Sequence, residues 1–211
     1  MCKLYNSVIN SENKTVPWEY FFLTDPLTED QIKEIKNAKI DRDENYINDG
    51  TRSGNKAGQG NKNHNLREYI TIDNVQHYPY LYKFIEDMRS LKVPEEIAKL
   101  IGREDNFEGS YVRLEVLHDI KSFWLQAHCD IKEKLISSLI YINDTDEDEN
   151  LGTDLYDTDL NLIDTVPFRH NVGYIFSGPD KWHGVEKGKN IKVERRGIQL
   201  NYVTFKTDWP V

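Results

Sequence analysis

The stretch RRGIQLNYVTF, Arg195–Phe205, decides how this chain is read. Ile198, Leu200 and Tyr202 alternate with Arg195, Gly197, Gln199 and Asn201, and a period of two is the signature of a strand with unlike faces. One face must pack on apolar neighbours, and the other looks into a polar pocket. Arg195 and Arg196 are adjacent, so their side chains point to opposite faces. Arg195 shares parity with the polar set and is the arginine expected in the pocket.

Working outward, strand-like segments precede it at Ser110–Leu117, Ser122–His128, Leu135–Ile142, Thr153–Tyr156, Asn171–Phe176 and His183–Lys187, most of them separated by turn residues. Many short strands at close intervals indicate a barrel or sandwich and not a parallel α/β sheet. Helices come first. Thr28-Glu-Asp-Gln31 is a capping box and Leu27 can staple onto Ile32, which predicts a helix over about Glu29–Ala38. Leu81, Phe84, Ile85 and Met88 fall on one face of a helix from Pro79 to Leu91. A short helix opens at Pro94 and closes at Gly102. The fold class is therefore mainly β with flanking helices (α+β). We expect a single domain over 1–211, with 1–106 as helical support and a mobile loop, and 107–206 as the barrel core.

Two stretches interrupt this order. Asn48–Asn65 (NDGTRSGNKAGQGNKNHN) has four glycines and almost no apolar side chain, so it reads either as an active-site lid or as plain disorder. The acidic run DTDEDEN, Asp144–Asn150, looks like a calcium loop but fails the pattern, because Glu149 stands at the sharp-turn glycine and Leu155 at the bidentate glutamate. It reads as a solvated hairpin tip.

Bulk properties narrow the function. A net charge of -9 argues against nucleic acid as a partner, since phosphate binding needs a basic face. No apolar run is long enough to span a bilayer, and the start MCKLYNSVINSENK lacks the basic-then-apolar pattern of a secretory signal, so a cytoplasmic location is expected. Cys2 and Cys129 are far apart and form no C-x-x-C pair; both are expected to be free thiols.

Chemistry enters with His128-x-Asp130. Period-two spacing puts these side chains on one face of a strand and Cys129 on the other. His183 starts a later strand, and Arg195 opens the last one. Two imidazoles and a carboxylate can occupy one face of an octahedral metal and leave three positions open, as a non-haem Fe(II) oxygenase requires. The H-x-D triplet alone is a weak signal in a chain this rich in aspartate. The bland alternative is a hydrogen-bonded surface pair plus a satisfied core histidine. His64, His77, His118 and His170 read as solvated or locally bonded side chains. Arg113 and Glu115 alternate on one strand and read either as pocket lining or as an ordinary ion pair.

From Ser110 to Phe205 the chain resembles the 2-oxoglutarate- and Fe(II)-dependent oxygenases, in particular their prolyl-hydroxylase-like branch. The family pattern H-x-D…H…R falls on His128, Asp130, His183 and Arg195. Tyr141-Ile142-Asn143 resembles its tyrosine-ending strand, Gly152-Thr153 its glycine-led strand start, and Tyr174–Gly178 leading to Trp182-His183-Gly184-Val185 its approach to the distal histidine. The resemblance departs at Asn201, where prolyl hydroxylases often carry tryptophan, and at the two loops above. It implies a double-stranded β-helix (jelly-roll, cupin-like) barrel supported by N-terminal helices. It implies His128, Asp130 and His183 as iron ligands and catalytic centre, with Arg195 and Tyr141 holding the distal carboxylate of 2-oxoglutarate. It implies hydroxylation of a small molecule or a protein side chain, with release of succinate and CO2 and with ascorbate as a candidate auxiliary reductant; Asp130 argues against the halogenating variants. Two other readings stay open: a non-catalytic cupin-like binding or sensing barrel, and a metal dioxygenase that needs no keto acid. Substrate identity and oligomeric state are not written in these residues.

Overall fold

The strand that decides the reading is also an interior strand of the large sheet. Strand β11 (Arg195–Val203) is flanked by β4 (Tyr111–Asp119) and β6 (Lys134–Tyr141), and pairs with both antiparallel. The computed structural model describes residues 2–40, 50, 67–90, 92–102, 107–119, 123–143, 149–189, 192–206 and 210. Beyond β6 lie β9 (Val172–Ser177), β2 (Tyr20–Thr24) and β1 (Glu12–Lys14), and beyond β4 lies β3 (Arg67–Tyr69), giving seven strands. A second sheet has the order β5 (Leu125–His128), β10 (His183–Val185), β7 (Asp154–Tyr156), β8 (Leu162–Thr165). The strand pairs are antiparallel throughout both sheets.

Alternation on β11 divides the core into two layers. Ile198, Leu200 and Tyr202 join Ile136 and Ile140 of β6 and Val112, Leu114 and Val116 of β4 in one apolar cluster. That cluster is roofed by α1 (Lys3–Ile9), α2 (Glu29–Asn37), α3 (Pro79–Ser90) and α4 (Val93–Leu100), which contribute Leu4, Ile35, Phe84 and Ile97 among others. The other face carries a mostly aromatic cluster, with Tyr174 and Phe176 of the large sheet packed with Leu155 and Val185 of the small one. The two sheets therefore face each other, and the polar positions of β11 look into the space between them.

Local chemistry explains most element ends. The α2 capping box is formed both ways: the Gln31 N–H donates to Thr28 Oγ1 at 3.3 Å, and the Thr28 N–H donates to Gln31 Oε1 at 2.8 Å. Helix α4 starts at Val93 with Pro94 in its first turn, and Gly102 follows it at φ +70°. The structure differs from the sequence reading in the N-terminal half, where α1 and strands β1, β2 and β3 were not expected. Tyr20–Leu23 is apolar at every position because both of its faces are buried, Phe21 and Leu23 against the helices and Tyr20 between the sheets, so no alternation betrays the strand. The large sheet thus takes three strands from residues before 107.

Most of the glycine-rich segment, residues 144–148 of the acidic run, position 91 at the end of the third helix and position 122 at a strand start lie outside the described residues. Gly50 is described. Its φ is +77°, and a Cβ there would stand 2.1 Å from the Trp124 indole, so only glycine fits. Its carbonyl accepts the Gln126 N–H at 2.8 Å, which ties this residue to β5 two positions before His128. Cys2 and Cys129 are free thiols. Among the described residues no helix is long and apolar enough to cross a membrane.

Candidate metal centre

The antiparallel pairing of β5 with β10 sets His128 directly across from His183, with ring centroids 4.5 Å apart. Each imidazole is steered by its own chain: Nδ1 of His128 lies 2.9 Å from the Gln126 carbonyl, and Nδ1 of His183 lies 2.8 Å from the Lys181 carbonyl. A carbonyl can only accept, so both Nδ1 atoms carry a proton, and in the neutral imidazole Nε2 is then the nitrogen that can ligate a metal. Strand β5 ends at His128, and Asp130 stands beyond it, ahead of β6; the expected placement of both residues within one strand gives way to a strand end and its exit. The exit still delivers the carboxylate. One ligand atom from each of His128, Asp130 and His183 lies within 4.8 Å of the others. Asp130 and His183 are each 7% exposed.

Asp130 is clamped from two sides. One oxygen accepts from the Lys134 ammonium, and the other accepts from Ser137 Oγ at 2.5 Å. Ser137 in turn accepts from Asn201 Nδ2 at 2.9 Å, and Asn201 Oδ1 accepts from Arg113 Nη2, also at 2.9 Å. Arg113 closes the chain on Glu115. All of these side chains are buried, so a polar relay crosses the large sheet and ends on the carboxylate. Of the two readings left open for Arg113 and Glu115, the ion pair is the one observed.

At the other end of β11, Arg195 is 1% exposed. Its Nη2 donates to Tyr141 Oη at 3.1 Å, its guanidinium sits 5.4 Å from the Phe123 ring centroid and 5.3 Å from that of Tyr141, and Asp119 lies 3.6 Å away. Burial pushes the Tyr141 hydroxyl above its usual range, against the opposing pull of Arg195, so the group stays a neutral phenol. It also bonds Thr153 Oγ1. Arg196 points the other way, 32% exposed and paired with Glu194 at 2.7 Å. His128, His183 and Arg195 line one recess between the sheets, about 460 Å³ including its open mouth. His118 bonds the Ile35 carbonyl and His170 the Asn143 carbonyl, and neither belongs to the cluster of possible ligands.

Sequence reasoning missed Lys134, Ser137, Asp119 and Arg67. Ser137 and Ser138 in the middle of the apolar run of β6 were a legible signal, because two hydroxyls on a buried strand need partners. Arg67 stands far from any motif and gave none.

The sequence matches no known family profile and no curated protein. In structure the chain is similar to prolyl 4-hydroxylases from Phytophthora capsici, with a TM-score of 0.62 and 12% identity over 99% of this chain and 66% of that one, slightly less than two thirds of its length. A prolyl-4-hydroxylase from Pseudomonas putida gives 0.57 and 10% identity, over 98% of this chain and 100% of that one. A prolyl hydroxylase from Trichoplax adhaerens, in complex with a hypoxia inducible factor oxygen degradation domain peptide fragment, gives 0.55 and 12% identity, over 96% and 88%. At such identities the likeness is one of fold. The chain has the fold of the prolyl hydroxylases, which is the branch its H-x-D…H…R residues resemble.

Proposed function

We propose that this protein is an Fe(II)- and 2-oxoglutarate-dependent dioxygenase that hydroxylates an unactivated C–H bond, on a double-stranded β-helix barrel. The observation that carries the reading is the meeting of His128, Asp130 and His183 within 4.8 Å, with both histidines tied through Nδ1. The donor set fits Fe(II): two neutral imidazoles and one carboxylate on one side, the composition of a facial triad. The recess fits the keto acid, because a fully buried arginine faces it.

Iron with 2-oxoglutarate supplies dioxygen activation coupled to decarboxylation of the keto acid to succinate and CO2. The chain's own residues do the rest. His128 and His183 present lone pairs that their carbonyl partners hold in place. Lys134 and Ser137 fix the plane of the Asp130 carboxylate. Arg195 receives the distal carboxylate through a planar fork that a lysine could not offer. The Tyr141 phenol already accepts from Arg195, so its proton is left for Thr153 or for the incoming carboxylate. Phe123, Tyr174 and Phe176 line the recess with aromatic rings.

The test is optical and then chemical. Anaerobic protein loaded with Fe(II) is expected to develop a weak visible charge-transfer band on adding 2-oxoglutarate, and in air to release succinate slowly even without a prime substrate. A protein that binds no metal would be a binding barrel instead. Iron-dependent oxygen consumption that ignores 2-oxoglutarate would mark a keto-acid-independent dioxygenase. The substrate is a small molecule or a protein side chain, and Asn201, which is engaged in the relay, gives no support to a peptidyl-proline.

The relay adds a further expectation. Ser137→Ala removes the hydrogen bond that orients Asp130 but keeps the ligand, and loss of such an outer partner typically weakens metal binding by about 10- to 100-fold. Titration with Co(II), followed by its visible bands, measures this; unchanged affinity would reduce the relay to a packing feature.

A further inference from the structure

Arg195 is not the only guanidinium that lines the recess. Arg67, on β3, pairs with Asp119 at 3.3 Å, and its side chain is 9% exposed. Asp119 Oδ2 lies 3.6 Å from Arg195, so one carboxylate stands between two arginines. All three residues line the recess that His128 and His183 also line. Arg67 Nη1, Arg195 Nη1, Arg195 Nε and, on the acceptor side, Asp119 Oδ1 are buried and have no hydrogen-bond partner among the described residues, and Arg195 Nη1 is held only by the 3.6 Å ion pair with Asp119. A buried charged donor without a hydrogen bond is costly, and three of them on two arginines that line one recess call for an acceptor beyond Asp119.

The geometry points to a two-arginine socket for a single carboxylate, in which Arg67 is a binding residue beside Arg195 and Asp119 holds the two guanidiniums in position. Charge decides the number of guests. Two arginines and one aspartate leave a net charge of +1, which one carboxylate neutralises and a second anion would overfill. Geometry agrees, since the two oxygens of a carboxylate offer about four lone-pair sites for three waiting donors. The ligand class is a dicarboxylate whose far end is anionic, with its near end at the metal centre. This inference rests on the function proposed above, and it differs from the single-arginine reading of the sequence because it makes affinity depend on a residue outside the barrel motif.

The experiment compares two keto acids that share a chelating end. 2-Oxoglutarate has the distal carboxylate, and 2-oxobutanoate lacks it. Each is titrated into anaerobic Fe(II)-loaded protein, and dissociation constants are read from the charge-transfer band. Arg67→Ala is expected to weaken 2-oxoglutarate about 10-fold and to leave 2-oxobutanoate unchanged. Arg67→Lys keeps the charge but not the fork and is expected to lose about 3-fold for 2-oxoglutarate only; it carries the test if Arg67→Ala does not fold. Equal loss for both acids, or for neither, overturns the socket. If wild-type protein binds neither acid, the proposed function fails, and the socket is judged by glutarate in metal-free protein. There glutarate must raise the melting temperature of the wild type and not that of Arg67→Lys, and no wild-type shift overturns the socket as well.

Discussion

Asp130→Ala is expected to abolish metal binding and, separately, to cost the fold about 3–5 kcal/mol, the usual penalty for removing one partner of a buried ion pair. The first loss follows from the donor set, because two imidazoles alone give a divalent ion neither the charge nor the third position. The second follows from Lys134, which is 5% exposed and would lose the carboxylate that balances its ammonium. The two losses can be pulled apart. Lys134→Met in the Asp130→Ala background removes the stranded charge and is expected to recover most of the stability, while metal binding stays absent. Thermal melts and metal stoichiometry by atomic absorption read the two effects independently. Full metal occupancy in Asp130→Ala would end the assignment of this residue as a ligand.

Arg195→Ala is expected to leave metal binding intact and to raise the 2-oxoglutarate requirement by about 100-fold, on the scale of ~3 kcal/mol for a charge-assisted contact with a buried carboxylate. Arg195 is held on Tyr141 and between aromatic rings, so its guanidinium is placed before any ligand arrives. Arg196→Ala removes only a partly exposed pair with Glu194, worth under about 1 kcal/mol, and is expected to leave the cosubstrate requirement unchanged. Steady-state kinetics of succinate release, with 2-oxoglutarate varied, compares the two. The reverse order would mean that the arginine facing the recess is not the one that meets the keto acid.

What was legible in the sequence was whatever repeats along one strand or one helix. The alternation from Gly197 to Tyr202 is written in six consecutive residues, and the structure keeps the strand's parity without a slip between Arg195 and Tyr202. The α2 capping box lies within four residues and formed as read. Tyr20–Thr24 was hidden because a strand buried on both sides has no polar phase to alternate with. The meeting of His128, Asp130 and His183 was readable because H-x-D is local and its partner opens a strand. Its surroundings were not, because Ser137, Asn201 and Arg113 are united only by cross-strand register, and Arg67 reaches Asp119 only through the pairing of β3 with β4. Register is a property of two strands at once, and no single stretch of sequence states it.

Strand β11 carries two inheritances on alternate residues. Ile198, Leu200 and Tyr202 are cemented among the helices, whereas Arg195, Gln199 and Asn201 face the space between the sheets. A saturation library along this strand should therefore show a two-beat rhythm. Changes at Ile198, Leu200 and Tyr202 are expected to erase folded protein, and changes at Gln199, which lines the recess, to leave soluble protein with altered chemistry. New specificity can arise here only by steps of two, and a single-residue insertion, which swaps the beats, would forfeit both at once.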